Sequence, residues 1–167
     1  MRVSDMEAYQ SFFLEAAGKC YAGDLPKTTI AELPKSKVYR YEKRNLLYLD
    51  VYYTNGESSG GQTTIFWDSV PVWLMQYHGW CKDDDKRTLS FLKEALKSTY
   101  ERGIWNFGRG PDAYTSQEFP HLRYVIDEHD SGGFETFSGM ESVRDYTRRP
   151  SDLIFWHRFH GMLLAPE

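Results

Sequence analysis

The sequence predicts an α+β protein. Two tandem similar halves are expected, each a helix followed by antiparallel strands and a hairpin, related by an approximate two-fold. Three observations carry this. Two stretches have helical apolar periodicity, each is followed by aromatic, β-forming segments, and the order of features recurs. "FFLEAAGKCY" (12–21) aligns with "SFLKEALKST" (90–99) at a shift of 78, matching Phe13 with Phe91, Leu14 with Leu92, Ala17 with Ala95 and Lys19 with Lys97. The same shift puts Gly61 on Gly139, and a shift of 82 puts Trp73 on Phe155, Tyr77 on Phe159, His78 on His160 and Gly79 on Gly161. The four extra residues fall between Gly139 and Gly161, in "YTRRPSD", where a longer loop is easily accommodated. An internal repeat of approximately 6–82 and 84–163 follows, within a single domain 1–167.

Each element has a local cause. Ser4-x-x-Glu7 is a capping-box pattern ahead of Phe12, Phe13, Ala16, Ala17 and Cys20, which share one helical face, and Gly23 stops the run. The second helix follows Asp83-Asp84-Asp85, whose negative charge suits a helix N-terminus. Leu89, Leu92, Leu96 and Tyr100 recur at helical spacing before Gly103. "NLLYLDVYY" (45–53) is β-rich. "SSGGQT" is expected to be a Gly-rich turn. "TTIFW" and "VWLMQYH" form a hairpin about Asp68-Ser69-Val70-Pro71. "HLRYVIDEHD", "MESVRDY" and "LIFWHRFH" play the same parts later, and Pro26, Pro34, Pro111 and Pro120 are expected in connections. The two His-Gly pairs are expected at strand ends, glycine allowing a bulge or a positive φ.

Composition narrows the function. The chain has 167 residues, 16% aromatic, with a net charge of −4. It is long enough for a real core. Its basic residues are scattered apart from short pairs such as Arg148-Arg149, so no stripe for nucleic-acid phosphates exists. Two cysteines, Cys20 and Cys81, make no disulfide framework, Cys20 lying on an apolar helix face and Cys81 expected near the surface. No metal-ligand spacing, leader segment or apolar run of about 18 residues is present. A soluble, reduced cytoplasmic protein without cofactor, metal, membrane or direct nucleic-acid partner is expected.

Alternation selects the candidate site. Trp73, Met75 and Tyr77 share one strand face, and Phe155, His157 and Phe159 share another. Those aromatics suit either core packing or an apolar pocket oriented by a few polar groups. Glu141, Arg109 of "GRGPDAY", and Tyr48 and Asp50 of "YLDVYY" complete the candidate ligand-binding set. Glu141 can meet a cationic ligand, pair with Arg109, or close the Gly turn. Gln76, His78, Arg158 and His160 lie on the opposite faces, as a solvated surface or, if His78 and His160 converge, an acid–base or anion site. His157 and His160 face opposite sides and cannot share one metal.

The stretches "FFLEAAGKCYAG", "LLYLDVYY", "VPVWLMQYHG", "FLKEAL", "GRGPDAY", "GGFETFSGMESV" and the final "FHG" form an ordered set. In it the chain resembles the bacterial family catalogued as domain of unknown function 5680, which often follows an XRE-type helix-turn-helix in regulators. The resemblance carries an aromatic-x-Gly-x-Glu pattern. It is present as Phe137-Ser138-Gly139-Met140-Glu141, whereas Ser59-Gly60-Gly61-Gln62-Thr63 lacks the acid. The first helix starts within a few residues of Met1, so no helix-turn-helix is expected ahead of it. The resemblance implies no known reaction.

Three functions compete. The first is a small-molecule-binding or sensing module with an aromatic-lined pocket, taking a flat aromatic or hydrophobic cation, or an anion if Arg109 is free. The second is an acid–base enzyme using His or Glu in the same cleft, with no catalytic motif to assign its residues. The third is a protein-interaction domain without ligand.

Overall fold

The apolar periodicity of residues 12–20 produces helix α1 (Val3–Lys19), whose Phe13, Ala16, Ala17 and the following Cys20 are buried. The computed structural model describes residues 3–130, 132–147 and 150–164. The Ser4 side chain and the Arg148-Arg149 pair lie outside the described residues; α1 begins ahead of Ser4. Helix α2 (Lys86–Tyr100) starts where the acidic run predicts, with the Asp85 side chain accepting from the N–H groups of Arg87 and Thr88. Its Phe91, Leu92, Ala95 and Leu96 form the apolar face. Gly103, with φ +64, lies just beyond its end.

The strands are β1 (Thr28–Ile30), β2 (Leu33–Lys43), β3 (Leu46–Asn55), β4 (Ser58–Trp67) and β5 (Val70–Cys81) before α2. After it come β6 (Ala113–Tyr114), β7 (Leu122–His129), β8 (Thr136–Asp145) and β9 (Asp152–Leu163). All lie in one sheet of order β1-β2-β3-β4-β5-β9-β8-β7-β6, and every neighbouring pair is antiparallel.

This corrects the expected fold class. Among the described residues strand is more than twice as abundant as helix. The architecture is one nine-stranded antiparallel sheet with two helices, not an α+β pair of balanced helix-on-sheet halves. The physical reason is the pairing of β5 with β9. Tyr77 stands opposite Phe159 and Gly79 opposite His157, so backbone hydrogen bonding passes unbroken through the middle of the sheet. Five strands precede α2 and four follow it.

Several local expectations change with it. "SSGGQT" is no turn: Ser58–Gly61 are paired residues of β4, with Gly60 and Gly61 opposite Tyr53 and Tyr52 on one side and His78 and Tyr77 on the other. Pro34 is the second residue of β2, beside the irregular β1–β2 register, where a missing N–H is tolerated. The β4–β5 turn is tighter than expected. Asp68 and Ser69 both take positive φ, as a two-residue type I′ turn needs, and Val70 and Pro71 already belong to β5. Gly79 and Gly161 sit within their strands, which run on to Cys81 and Leu163. Their role is close approach, not positive φ. An added Cβ at Gly79 would collide with the carbonyl oxygen of Trp156 and the ring of His157, and one at Gly161 with the ring of Phe137.

The two helices cover one face of the sheet. At one end of that face Trp73 is stacked on Phe134 at 5.1 Å and Phe137 at 5.8 Å, with Phe13 of α1 at 4.9 Å. Its indole N–H donates to the Phe134 carbonyl at 3.0 Å. The sheet's other face carries Gln76, His78, Arg158 and His160, which are exposed, and Trp156, which is half-buried.

Candidate functional site

Alternation along β3 puts Tyr48, Asp50 and Tyr52 on the helix-covered face. The β3–β4 register sets Thr63 directly opposite Asp50, and the Thr63 hydroxyl donates to Asp50 Oδ1 at 2.9 Å. The Tyr77 phenol, reaching across from β5, donates to the same oxygen at 2.7 Å. Asp50 is 2% exposed, and its second oxygen, Oδ2, has no hydrogen-bond donor among the described residues. Burial raises its carboxyl to about 6, against the lowering effects of the Tyr77 and Thr63 bonds and the Arg109 charge. Burial first, and the Asp50 charge second, hold the Tyr77 and Tyr48 phenols well above the ordinary tyrosine value, so both remain protonated donors.

Above this carboxylate lies a cavity of about 310 Å³ between the sheet and the helices. That volume falls at the low end of small-molecule sites. Tyr48, Asp50 and Tyr77 line it from the sheet, Phe13 and Ala17 from α1, and Leu89 and Tyr100 from α2. Met75, Phe155 and His157 line it as well. His157 Nε2 is 3.0 Å from the Ser59 hydroxyl, another lining group. Its Nδ1 is buried without a hydrogen-bond partner, 3.8 Å from Glu141 Oε1. Burial, then the charges of Arg109 and His78, pushes the His157 pKa well down, so the imidazole is neutral.

Arg109 reaches the cavity from the loop after α2, but its charge is already matched. Its Nε donates to Glu141 Oε1 at 3.0 Å, and Nη2 bonds the same oxygen. The Tyr124 phenol donates to Glu141 Oε2 at 2.7 Å and accepts from the Gly110 N–H at 3.1 Å. Glu141 is fully buried (0% exposed), so this is a closed internal ion pair behind the cavity wall. At the rim stand Lys27, Lys37, Lys86 and Lys93, with Glu57 and Asp84.

Of the nine residues selected from the sequence, Tyr48, Asp50, Tyr77, Arg109, Phe155 and His157 line the cavity. Trp73, Phe159 and Glu141 do not. Trp73 is consumed by its aromatic cluster, Phe159 packs beneath the Arg109 guanidinium at 6.0 Å, and Glu141 is held by Arg109 and Tyr124. His78 and His160 share the outer face of neighbouring strands, but His160 Nε2 meets Gln76 Oε1 at 3.1 Å and His78 packs edge-on to Trp156. Cys81, expected near the surface, is buried and lines the cavity, and burial lifts its thiol to about 11. Its sulfur faces the carbonyls of Lys82 and Asp85. Cys20 is free and buried too, its thiol raised by burial to about 12.

The rim lysines, Thr63 and Ser59 were not selected from the sequence. The lysines come from separate segments and meet only through the sheet order. The nearest signal is "KVYRYEK" (37–43), whose Val-Tyr-Arg-Tyr run marks β2 and so brings Lys37 and Tyr39 beside Tyr52.

The model of the family described as Domain of unknown function (DUF5680) matches residues 50–164, and the chain belongs to that family. The match starts at Asp50 and includes Tyr77, Arg109, Glu141 and His157, while α1 and Tyr48 lie ahead of it. No curated protein and no solved structure matches the chain. Among the described residues, no helix is long and apolar enough to cross a membrane, and no group of three His, Cys, Asp or Glu is placed to hold a metal ion.

Proposed function

We propose that this protein is a small-molecule-binding module that senses a flat, ring-containing compound in the cavity over Asp50. One observation carries this reading: a deeply buried carboxylate that lines a cavity and lacks a donor on one oxygen. A ligand N–H or O–H at Oδ2 would supply the charge-assisted hydrogen bond that no described residue gives that oxygen. Tyr48, Tyr77 and Phe155 supply ring faces and edges for the body of such a ligand. The sequence resemblance to bacterial domains attached to XRE-type regulators supports a sensing role, in the cytoplasm, where two free thiols remain reduced.

The test is thermal unfolding against paired aromatic compounds with and without a hydrogen-bond donor. At a concentration about 100-fold above Kd, a binder should raise Tm by roughly 5–10 °C. Only the donor-bearing member of each pair should do so, and Asp50→Ala should abolish the shift. No shift with any compound overturns the proposal.

A second reading, acid–base catalysis in the same cavity, is favoured by the Asp50 carboxyl, which titrates at about 6, next to a phenol donor. The carboxylate of that mechanism would be Asp50, because Glu141 is committed to Arg109. Its mark would be turnover of a bound compound with an inflection near pH 6 that Asp50→Asn removes.

A further inference from the structure

The rim of the cavity has a chemistry that its floor does not share. Tyr21 and Tyr52 line the cavity and are joined into a strip by the buried Tyr39, with ring centroids 6.5 Å apart for Tyr21–Tyr39 and 6.3 Å for Tyr39–Tyr52. Three ammonium groups sit over it. Lys93 Nζ lies 5.4 Å from the Tyr21 ring, Lys27 Nζ 5.7 Å from both Tyr39 and Tyr52, and Lys37 Nζ 5.7 Å from Tyr52. Lys86 adds a fourth from the first turn of α2.

Acidic groups do not cancel this charge. Glu57 and Asp84 are the carboxylates that line the rim, and Glu57 already accepts from the Trp80 indole N–H at 2.7 Å and from the Asp83 N–H. None of the four lysines has an ion-pair partner within 4.0 Å among the described residues, although Asp24 acts on Lys93 from farther off. Lys37 donates only to the Thr54 hydroxyl, at 2.7 Å. The Lys93 pKa is lowered by its partial burial and then by Lys27, which is what two like charges drawn toward one mouth produce. A chain of net charge −4 thus concentrates cations at the opening of its cavity.

We infer that the ligand is an anion: a compound with a planar apolar body and a hydrogen-bond donor for Asp50 at one end, and a carboxylate or phosphate held by Lys27, Lys37 and Lys93 at the other. This rests on the small-molecule reading and sharpens it. Charge-assisted bonds to the ammonium groups fix the orientation, so the uncharged donor end enters first. The tyrosine strip holds the lysines over the opening through ring–cation attraction. A cationic ligand, by contrast, would have to pass four like charges to reach Asp50.

Calorimetry with three matched probes tests it: para-hydroxyphenylpropionate, its amide and the corresponding amine, repeated on an indole frame. The carboxylates should bind about tenfold tighter than the amides, and the amines weakest. Raising salt from 0.05 to about 0.5 M should erase most of that preference without changing amide binding. Lys27→Gln/Lys93→Gln should do the same at low salt, and the salt series stands alone if that variant folds poorly. Equal binding of carboxylate and amide, or tightest binding of the amine, overturns the anion inference and leaves the pocket reading standing. Failure of all three charge types on both frames overturns both.

Discussion

Replacing Asp50 by Asn tests the electrostatics of the cavity floor directly. Asn keeps an Oδ1 that can accept from both Tyr77 and Thr63, so the two hydrogen bonds at that oxygen survive while the charge is lost. In the wild type the folded carboxyl titrates at about 6, against an ordinary 3.8 in the unfolded chain. Between those values the folded state holds a proton that the unfolded state has released. Stability from this group is therefore fully present below about pH 4 and is lost as pH rises through 6. Each pH unit between the two values is worth about 1.4 kcal/mol, so the loss by pH 7 is about 3 kcal/mol. Urea unfolding of wild type and Asp50→Asn, followed by tryptophan fluorescence from pH 4 to 8, isolates the effect, because other titrating groups cancel in the difference. The variant should gain about 2.4 kcal/mol on the wild type between pH 4 and 7. A difference that stays flat with pH, or grows in the opposite direction, would refute a buried, charge-averse Asp50.

Three further outcomes follow from the geometry. Glu141→Gln leaves Arg109 buried beside a neutral amide and should cost about 3–5 kcal/mol in the same unfolding assay, with Glu141→Gln/Arg109→Met recovering part of the loss. Gly79→Ala puts a methyl group into the Trp156 carbonyl and the His157 backbone, so a loss of about 3 kcal/mol is expected; native-like stability would show that the β5–β9 approach is looser than described. Cys20 and Cys81 should react with a thiol reagent at pH 8 only after unfolding, since burial raises both thiols; non-reducing mass spectrometry that found a Cys20–Cys81 bridge would contradict the free-thiol state.

Period-two alternation made the inner face readable. Trp73, Met75 and Tyr77, and Phe155, His157 and Phe159, all point to the helix-covered side, as their spacing predicts. Sharing a face is not sharing a cavity, however. Trp73 lies where Phe13, Phe134 and Phe137 fill the space above the sheet, while Tyr77, a few residues along, lies where the helices leave it open. That difference is set by helix placement, which strand periodicity does not encode. β1 escaped notice because Thr-Thr-Ile is too short to show alternation, and the start of β2 because Pro34, Lys35, Ser36 and Lys37 dilute its β signal. The glycines were read as turn residues because Gly-rich stretches usually are. Only the cross-strand neighbours of Gly79 and Gly161 reveal that the requirement is space.

The junction of β5 with β9 has a consequence for biosynthesis. β9 is the last strand of the sheet in chain order, yet it occupies an interior position, flanked by β5 and β8. A nascent chain can assemble β1 to β5 early, but β5 then presents a twelve-residue unpaired edge carrying Trp73, Tyr77 and Trp80 until β9 is made. Strands β6 to β8 cannot join the first five without it. The ribosome-bound intermediate therefore exposes the kind of long, aromatic edge that invites intermolecular pairing, and release from that state waits on the final strand.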